Sequence, residues 1–170
     1  MRKPAAFAET YAEILREIRA TASTAPGLPH LQRFIVEIIP QRLPWYNWTG
    51  FYMLDPADPA TLVLGPFEGA PTEHVRIPVS QGICGAAVAQ DSTVIIDDVS
   101  ADPRYLACSL ETRSEIVVPI RANGAVVGEI DIDSHEAAAF SAQDRAFLEE
   151  CAGIVGGFIE RSQVASPVSK

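Results

Sequence analysis

The segment GEIDIDS (128–134) alternates Glu129, Asp131 and Asp133 with Ile130 and Ile132. In a strand, that spacing sets three carboxylates on one face and the isoleucines on the other. A second acid, Glu115, opens the apolar run SEIVVPI (114–120), and the residues between the two runs read as a hairpin turn. A two-residue Asn123-Gly124 turn pairs Ala122 with Ala125 and places Ile116 opposite Asp131, mixing acid with apolar. A three-residue loop, Ala122-Asn123-Gly124, pairs Arg121 with Ala125 and gathers Ile116, Val118, Ile120, Val126, Ile130 and Ile132 on one face. A one-residue slip exchanges the two faces, so the apolar pattern selects the three-residue loop. In that register Glu115 stands opposite Asp131, and Arg113 opposite Asp133. Opposed like charges are destabilising. Such a cluster keeps a proton, meets a protein cation such as Arg113, or receives a ligand's ammonium or a metal. A solvated outer face with an Arg113–Asp133 pair is the plainer alternative.

Three cysteines add chemistry. Cys151 falls in an apolar helical stripe and reads as core. Cys84, in QGICGAA, starts a predicted helix, whose N-terminus lowers a thiol's pKa. Cys108, in YLACS, sits seven residues before Glu115 on a long connection. A thiolate there is a nucleophile with proton donors at hand, and an inert buried cysteine is the alternative. No Cys-x-x-Cys pair suggests zinc.

The elements that must position these groups follow from periodicity. Phe7, Tyr11, Ile14, Leu15 and Ile18 predict a helix from about Pro4 to Ala22. Leu31, Phe34, Ile35 and Ile38 predict a second, stopped near Pro40. Strands are expected at 46–54, 60–65, 74–78 and 93–97, a short helix at 84–90, and the hairpin at 114–134. Ser141, with Asp144 three residues on, caps a final helix whose stripe is Phe147, Leu148, Cys151, Ile154, Val155, Phe158 and Ile159. Ala152, Gly153, Gly156 and Gly157 allow close packing there, against the first helix or a second subunit. The connection 98–113 has no clear period, and long connections in compact domains are often functional. This order predicts one α+β domain: an antiparallel sheet of about six strands with the terminal helices on one face. Residues 1–22 form an N-terminal helix packed on the domain (23–162), and 163–170 a flexible tail.

The chain has 170 residues, is 48% apolar and 21% charged, and carries a net charge of −9. That charge argues against nucleic acid or an anionic membrane as partner, since both require a basic surface. No apolar run approaches the ~18 residues of a membrane span, and the charged N-terminus lacks a secretory h-region. A cytoplasmic protein with reduced thiols is expected.

Eight motifs in order, NWTGFY (47–52), LVLGPFEG (62–69), VRIP (75–78), GICGAAVA (82–89), DDV (97–99), LAC (106–108), SEIVVPI and GEIDIDS, resemble the free methionine-(R)-sulfoxide reductases, stand-alone GAF-domain enzymes. The resemblance covers roughly residues 30–160 and includes a thiol pair 24 residues apart. It implies that Cys108 attacks and Cys84 resolves. It implies that Glu115, Asp131 and Asp133 form an acidic substrate pocket, and that Trp48 and Tyr52 wall the thioether end. The carboxylates would hold a free amino acid's α-ammonium and supply a proton to the sulfoxide oxygen. A Cys84–Cys108 disulfide, a thioredoxin-like dithiol reductant and a homodimer are implied as well. Neither metal nor organic cofactor is expected, since the redox change sits on cysteine.

Two departures stand out. Many family members carry a further cysteine where this chain has His74, and the residue after the attacking cysteine, commonly Asp, is Ser109. Rival readings are a non-catalytic GAF sensor for a small amino acid or related metabolite, a hard-cation site on the carboxylates, and a dimerisation module. The retained cysteine pair favours the enzyme.

Overall fold

A computed structural model describes residues 7–107 and 109–165. The expected start of the first helix at Pro4 and the tail beyond Ala165 lie outside the described residues. Helix α1 (Ala8–Thr24) and helix α2 (Leu28–Arg42) are followed by β1 (Trp48–Asp55), β2 (Asp58–Glu68) and β3 (Arg76–Pro78). Then come α3 (Gly82–Gln90), β4 (Val94–Ile96), a 3-10 turn (Val99–Ala101), β5 (Ser114–Ala122), β6 (Ala125–Ser134) and α4 (Ala142–Ala165). The six strands make one antiparallel sheet in the order β3-β2-β1-β6-β5-β4. The chain folds as the α+β arrangement expected from its pattern.

Helices α1, α2 and α4 cover one sheet face. Their stripes, with Ile14, Ile18, Ile35, Leu148 and Val155, close on Phe51, Ile116, Val118, Ile120, Ile130 and Ile132 from the strands. Burying each such side chain stabilises by about 1.5–3 kcal/mol. Gly156 of α4 lies so close to the Arg121 carbonyl that any Cβ would collide with it. That small residue therefore serves packing on the sheet. Ser141 and Asp144 exchange capping hydrogen bonds at the start of α4, with Ser141 N–H donating to Asp144 Oδ2 at 2.8 Å and Asp144 N–H to Ser141 Oγ at 3.4 Å. The opposite face carries a smaller cluster, with Trp48, Tyr52, Ile77, Ile83, Cys84 and Val117, roofed by α3.

Helix α2 ends at Arg42, two residues past Pro40, near the stop the sequence predicts. A proline inside a helix loses its own N–H bond and crowds the carbonyl four residues back. The hairpin register, by contrast, is corrected. Asn123 (φ 53°) and Gly124 (φ 78°) form a two-residue turn, with Ala122 facing Ala125. Positive φ at both central positions is the I′ geometry that Asn-Gly favours. Between Arg121–Val126 and Ile120–Gly128 the pairing shifts by one residue, and Val127 forms a bulge. That extra residue restores the separation of faces, with Val127 in place of Val126 against the helical core. Hence Glu115 faces Asp133, not Asp131, and Asp131 faces Val117.

Candidate functional site

On the face away from the large helices, β1 and β6 set Trp48 opposite Asp133, Gly50 opposite Asp131, and Tyr52 opposite Glu129. β5 adds Glu115 beside Asp133. All four acids are buried, with Glu129 completely inaccessible and Glu115 only 5% exposed. The alternation in GEIDIDS produces this wall, as the sequence implies. It is not the solvated face of the plainer reading: Arg113 is exposed, and its N–H bonds the Ser134 carbonyl.

Trp48 folds across Gly50, where a Cβ would strike its six-membered ring. The indole stacks on Phe67 at 5.5 Å and lies 6.3 Å from the Tyr52 ring. Indole N–H donates to the Ala70 carbonyl at 3.0 Å, and Tyr52 O–H to the His74 carbonyl at 2.8 Å. These bonds tie the 69–75 loop to β1. The His74 ring meets the Ala107 carbonyl at 3.2 Å, so a residue at the site of a family cysteine touches the loop that carries Cys108. Cys108 itself lies outside the described residues.

Cys84, in the first turn of α3, faces the acids, with its thiol 3.6 Å from Asp131 Oδ2. The sulfur and one oxygen each from Glu115 and Asp131 lie within 4.8 Å of one another. Tyr52, Cys84, Glu115, Asp131 and Leu106 line a cavity of about 10 Å³, room for about one water. Leu106 closes it by leaning on Gly82 at the mouth of α3. Trp48 and Asp133 flank the cavity without lining it.

The electrostatics are severe. Burial, then the charges of Asp131 and Asp133, push Glu115 well above the usual carboxylate range. Burial raises Asp131 to about 6 against an accepted hydrogen bond from Glu115, and raises Glu129 and Asp133 strongly. The Cys84 thiol is pushed up by burial, then by Asp131, Glu129 and Glu115. The expected lowering by the helix N-terminus is therefore overturned: three acids and desolvation outweigh one helix end. Glu115 Oε2, Asp131 Oδ1 and Asp133 Oδ1 are buried without a hydrogen-bond partner among the described residues, and the Cys84 thiol is the donor beside Glu129. The cation nearest in influence, Arg104, is already paired with Asp102 at 2.7 Å. Glu129 belongs to the acidic face read from the sequence but was not among its expected pocket residues. Its alternation with Asp131 and Asp133 was the available signal.

Comparison with known proteins places this geometry among relatives. Residues 26–160 match the GAF domain family. The free methionine-R-sulfoxide reductase of Saccharomyces cerevisiae is 42% identical over 110 residues, covering 64% of this chain and 61% of the yeast protein. That of Escherichia coli is 35% identical over 142 residues, covering 84% of each chain. The structure of the Neisseria meningitidis free methionine-R-sulfoxide reductase, in complex with its substrate, superposes with a TM-score of 0.88 at 34% identity, covering 98% of this chain and 96% of that one. The match thus spans less than two thirds of the yeast relative's length.

Proposed function

The chain belongs to the GAF-domain family and, within it, to the free methionine-R-sulfoxide reductases, and from that premise we propose that it reduces free L-methionine-(R)-sulfoxide to methionine. One observation carries the reading: buried carboxylate oxygens of Glu115, Asp131 and Asp133, around Cys84, have no hydrogen-bond partner among the described residues. A zwitterion's α-ammonium supplies the missing charge, with its hydrogen bonds directed at Asp131, Asp133 and Glu115. A peptide-bound methionine sulfoxide has no such ammonium and leaves these acids unpaired. Trp48 and Tyr52 then face the substrate's apolar end.

The chemistry balances on sulfur alone. The Cys108 thiolate attacks the sulfoxide sulfur while a protonated acid, Glu115 in this reading, delivers a proton to the oxygen. The oxygen passes as hydroxyl to the Cys108 sulfur, the S–O bond and the transient S–S bond break, methionine leaves with two more electrons, and Cys108 is left as a sulfenic acid. Cys84 rests as a thiol aimed at Asp131. It condenses with the sulfenic acid, giving the Cys84–Cys108 disulfide and water, and a thioredoxin-like dithiol regenerates both thiols. Entry of an amino acid into a cavity of about 10 Å³ requires Leu106 and its loop to swing outward. That segment carries little regular structure, as moving lids do. A reducing cytoplasm and a homodimer complete the proposal.

The test mixes reduced protein with each sulfoxide epimer and counts methionine formed and thiols lost. Loss of two thiols per methionine, with the R epimer alone, is the expected result. No methionine from either epimer refutes the reading and favours a sensor of a small metabolite.

A further inference from the structure

The cavity that closes over the acids suits a single ion far better than an amino acid, and the geometry points to one: we propose that the reduced protein binds one zinc ion through Cys84 Sγ, Glu115 and Asp131. All three side chains line the same cavity of about 10 Å³, and their ligating atoms lie within 4.8 Å of one another. The Cys84 Sγ to Asp131 Oδ2 separation is 3.6 Å. A tetrahedral zinc with Zn–S of about 2.3 Å and Zn–O of about 2.0–2.2 Å gives an S–O edge of about 3.5–3.7 Å. Glu115 Oε2 and Asp131 Oδ1 are buried with no hydrogen-bond partner among the described residues, so their lone pairs are available to a Lewis acid. Glu129 adds a further buried carboxylate behind them. A donor set that includes thiolate selects zinc over magnesium or calcium, which prefer oxygen alone. Three protein ligands leave a fourth position to water, as in open zinc sites. On binding, the Cys84 thiol and the protonated Glu115 carboxyl release their protons to solvent, S–Zn and O–Zn bonds replace S–H and O–H, and no oxidation state changes.

The consequence rests on the proposed reductase reading. Zinc and the substrate ammonium claim the same carboxylates, and zinc also occupies the thiol needed to close the disulfide. It therefore inhibits rather than assists.

Binding is measured on the reduced full chain without substrate, by competition with a chromophoric zinc chelator under anaerobic conditions. This readout can fail while reductase activity stands, and the reverse. One equivalent of zinc is expected. Affinity should fall by about tenfold or more in Cys84→Ala and in Asp131→Asn, and stay unchanged in Cys151→Ala and with excess magnesium. Because a core substitution can perturb folding, cobalt(II) bound to the wild-type chain supplies a second readout: a thiolate-to-metal charge-transfer band. Substoichiometric zinc, affinity indifferent to both substitutions, or a cobalt complex without that band overturns the proposal.

Discussion

The two faces of the sheet bury carboxylates in opposite ways. Under the helices, Asp144 receives the hydroxyls of Tyr11 at 2.8 Å and Tyr46 at 2.7 Å, together with the amide and hydroxyl of Ser141. Across the sheet, Glu115, Asp131 and Asp133 each keep a buried oxygen with no hydrogen-bond partner among the described residues. Native interiors rarely leave such groups unpaired. A saturated acid holds a structure together, and an unsaturated cluster is held in place by the structure for something else to satisfy. On the proposed reading, the first face serves the fold and the second receives the substrate.

Substitutions separate these roles. Cys108→Ser should abolish methionine formation, because the proposed nucleophile is gone. Cys84→Ser should spare the first equivalent of methionine and stop recycling by dithiol. Single-turnover and steady-state assays of both variants check this, and equal loss in both phases would remove Cys84 from the resolving role.

Next in size, Asp144→Ala strands two tyrosine hydroxyls and a helix cap. It should lower unfolding free energy by about 2–4 kcal/mol while folded protein still binds substrate. Glu115→Gln and Asp133→Asn should do the reverse: a loss of about 30-fold or more in kcat/KM, with denaturation midpoints equal to or above wild type. Denaturant titration beside kinetics decides it, and a parallel loss of stability in both sets would erase the distinction.

The smaller effect is on pH. Burial holds the Asp131 carboxyl up at about 6, above its ordinary 3.8. A carboxyl raised on folding contributes stability that is complete below its unfolded pKa and lost as pH rises through the folded one. The ligand-free protein should therefore lose stability between about pH 4 and 6 from this group. Asp131→Asn should flatten that slope in urea titrations across the range.

Much of this was legible in the chain. Alternation in GEIDIDS fixed which residues share the acidic face, and the Ser141–Asp144 pair marked the last helix. The pairing partner of Glu115 was not legible. Asn123-Gly124 favoured a two-residue turn while the isoleucines demanded a different register, and only a bulge at Val127 reconciles them. Gly128, directly after Val127, was the available signal, since a lone glycine in a strand can mark a bulge. The Cys84 thiol was misjudged for a related reason. Its place at a helix start is local and visible, whereas Asp131 and Glu129 reach it from 47 and 45 residues along the chain.

The most direct test is calorimetric titration of the Cys108→Ser variant, which lacks the proposed nucleophile, with free L-methionine-(R)-sulfoxide and with its N-acetyl derivative. The two share the sulfoxide and differ in the ammonium. The account predicts measurable binding of the free amino acid and an affinity for the acetylated compound weaker by about 100-fold, the worth of a buried charge pair. Equal affinity for the two would contradict it.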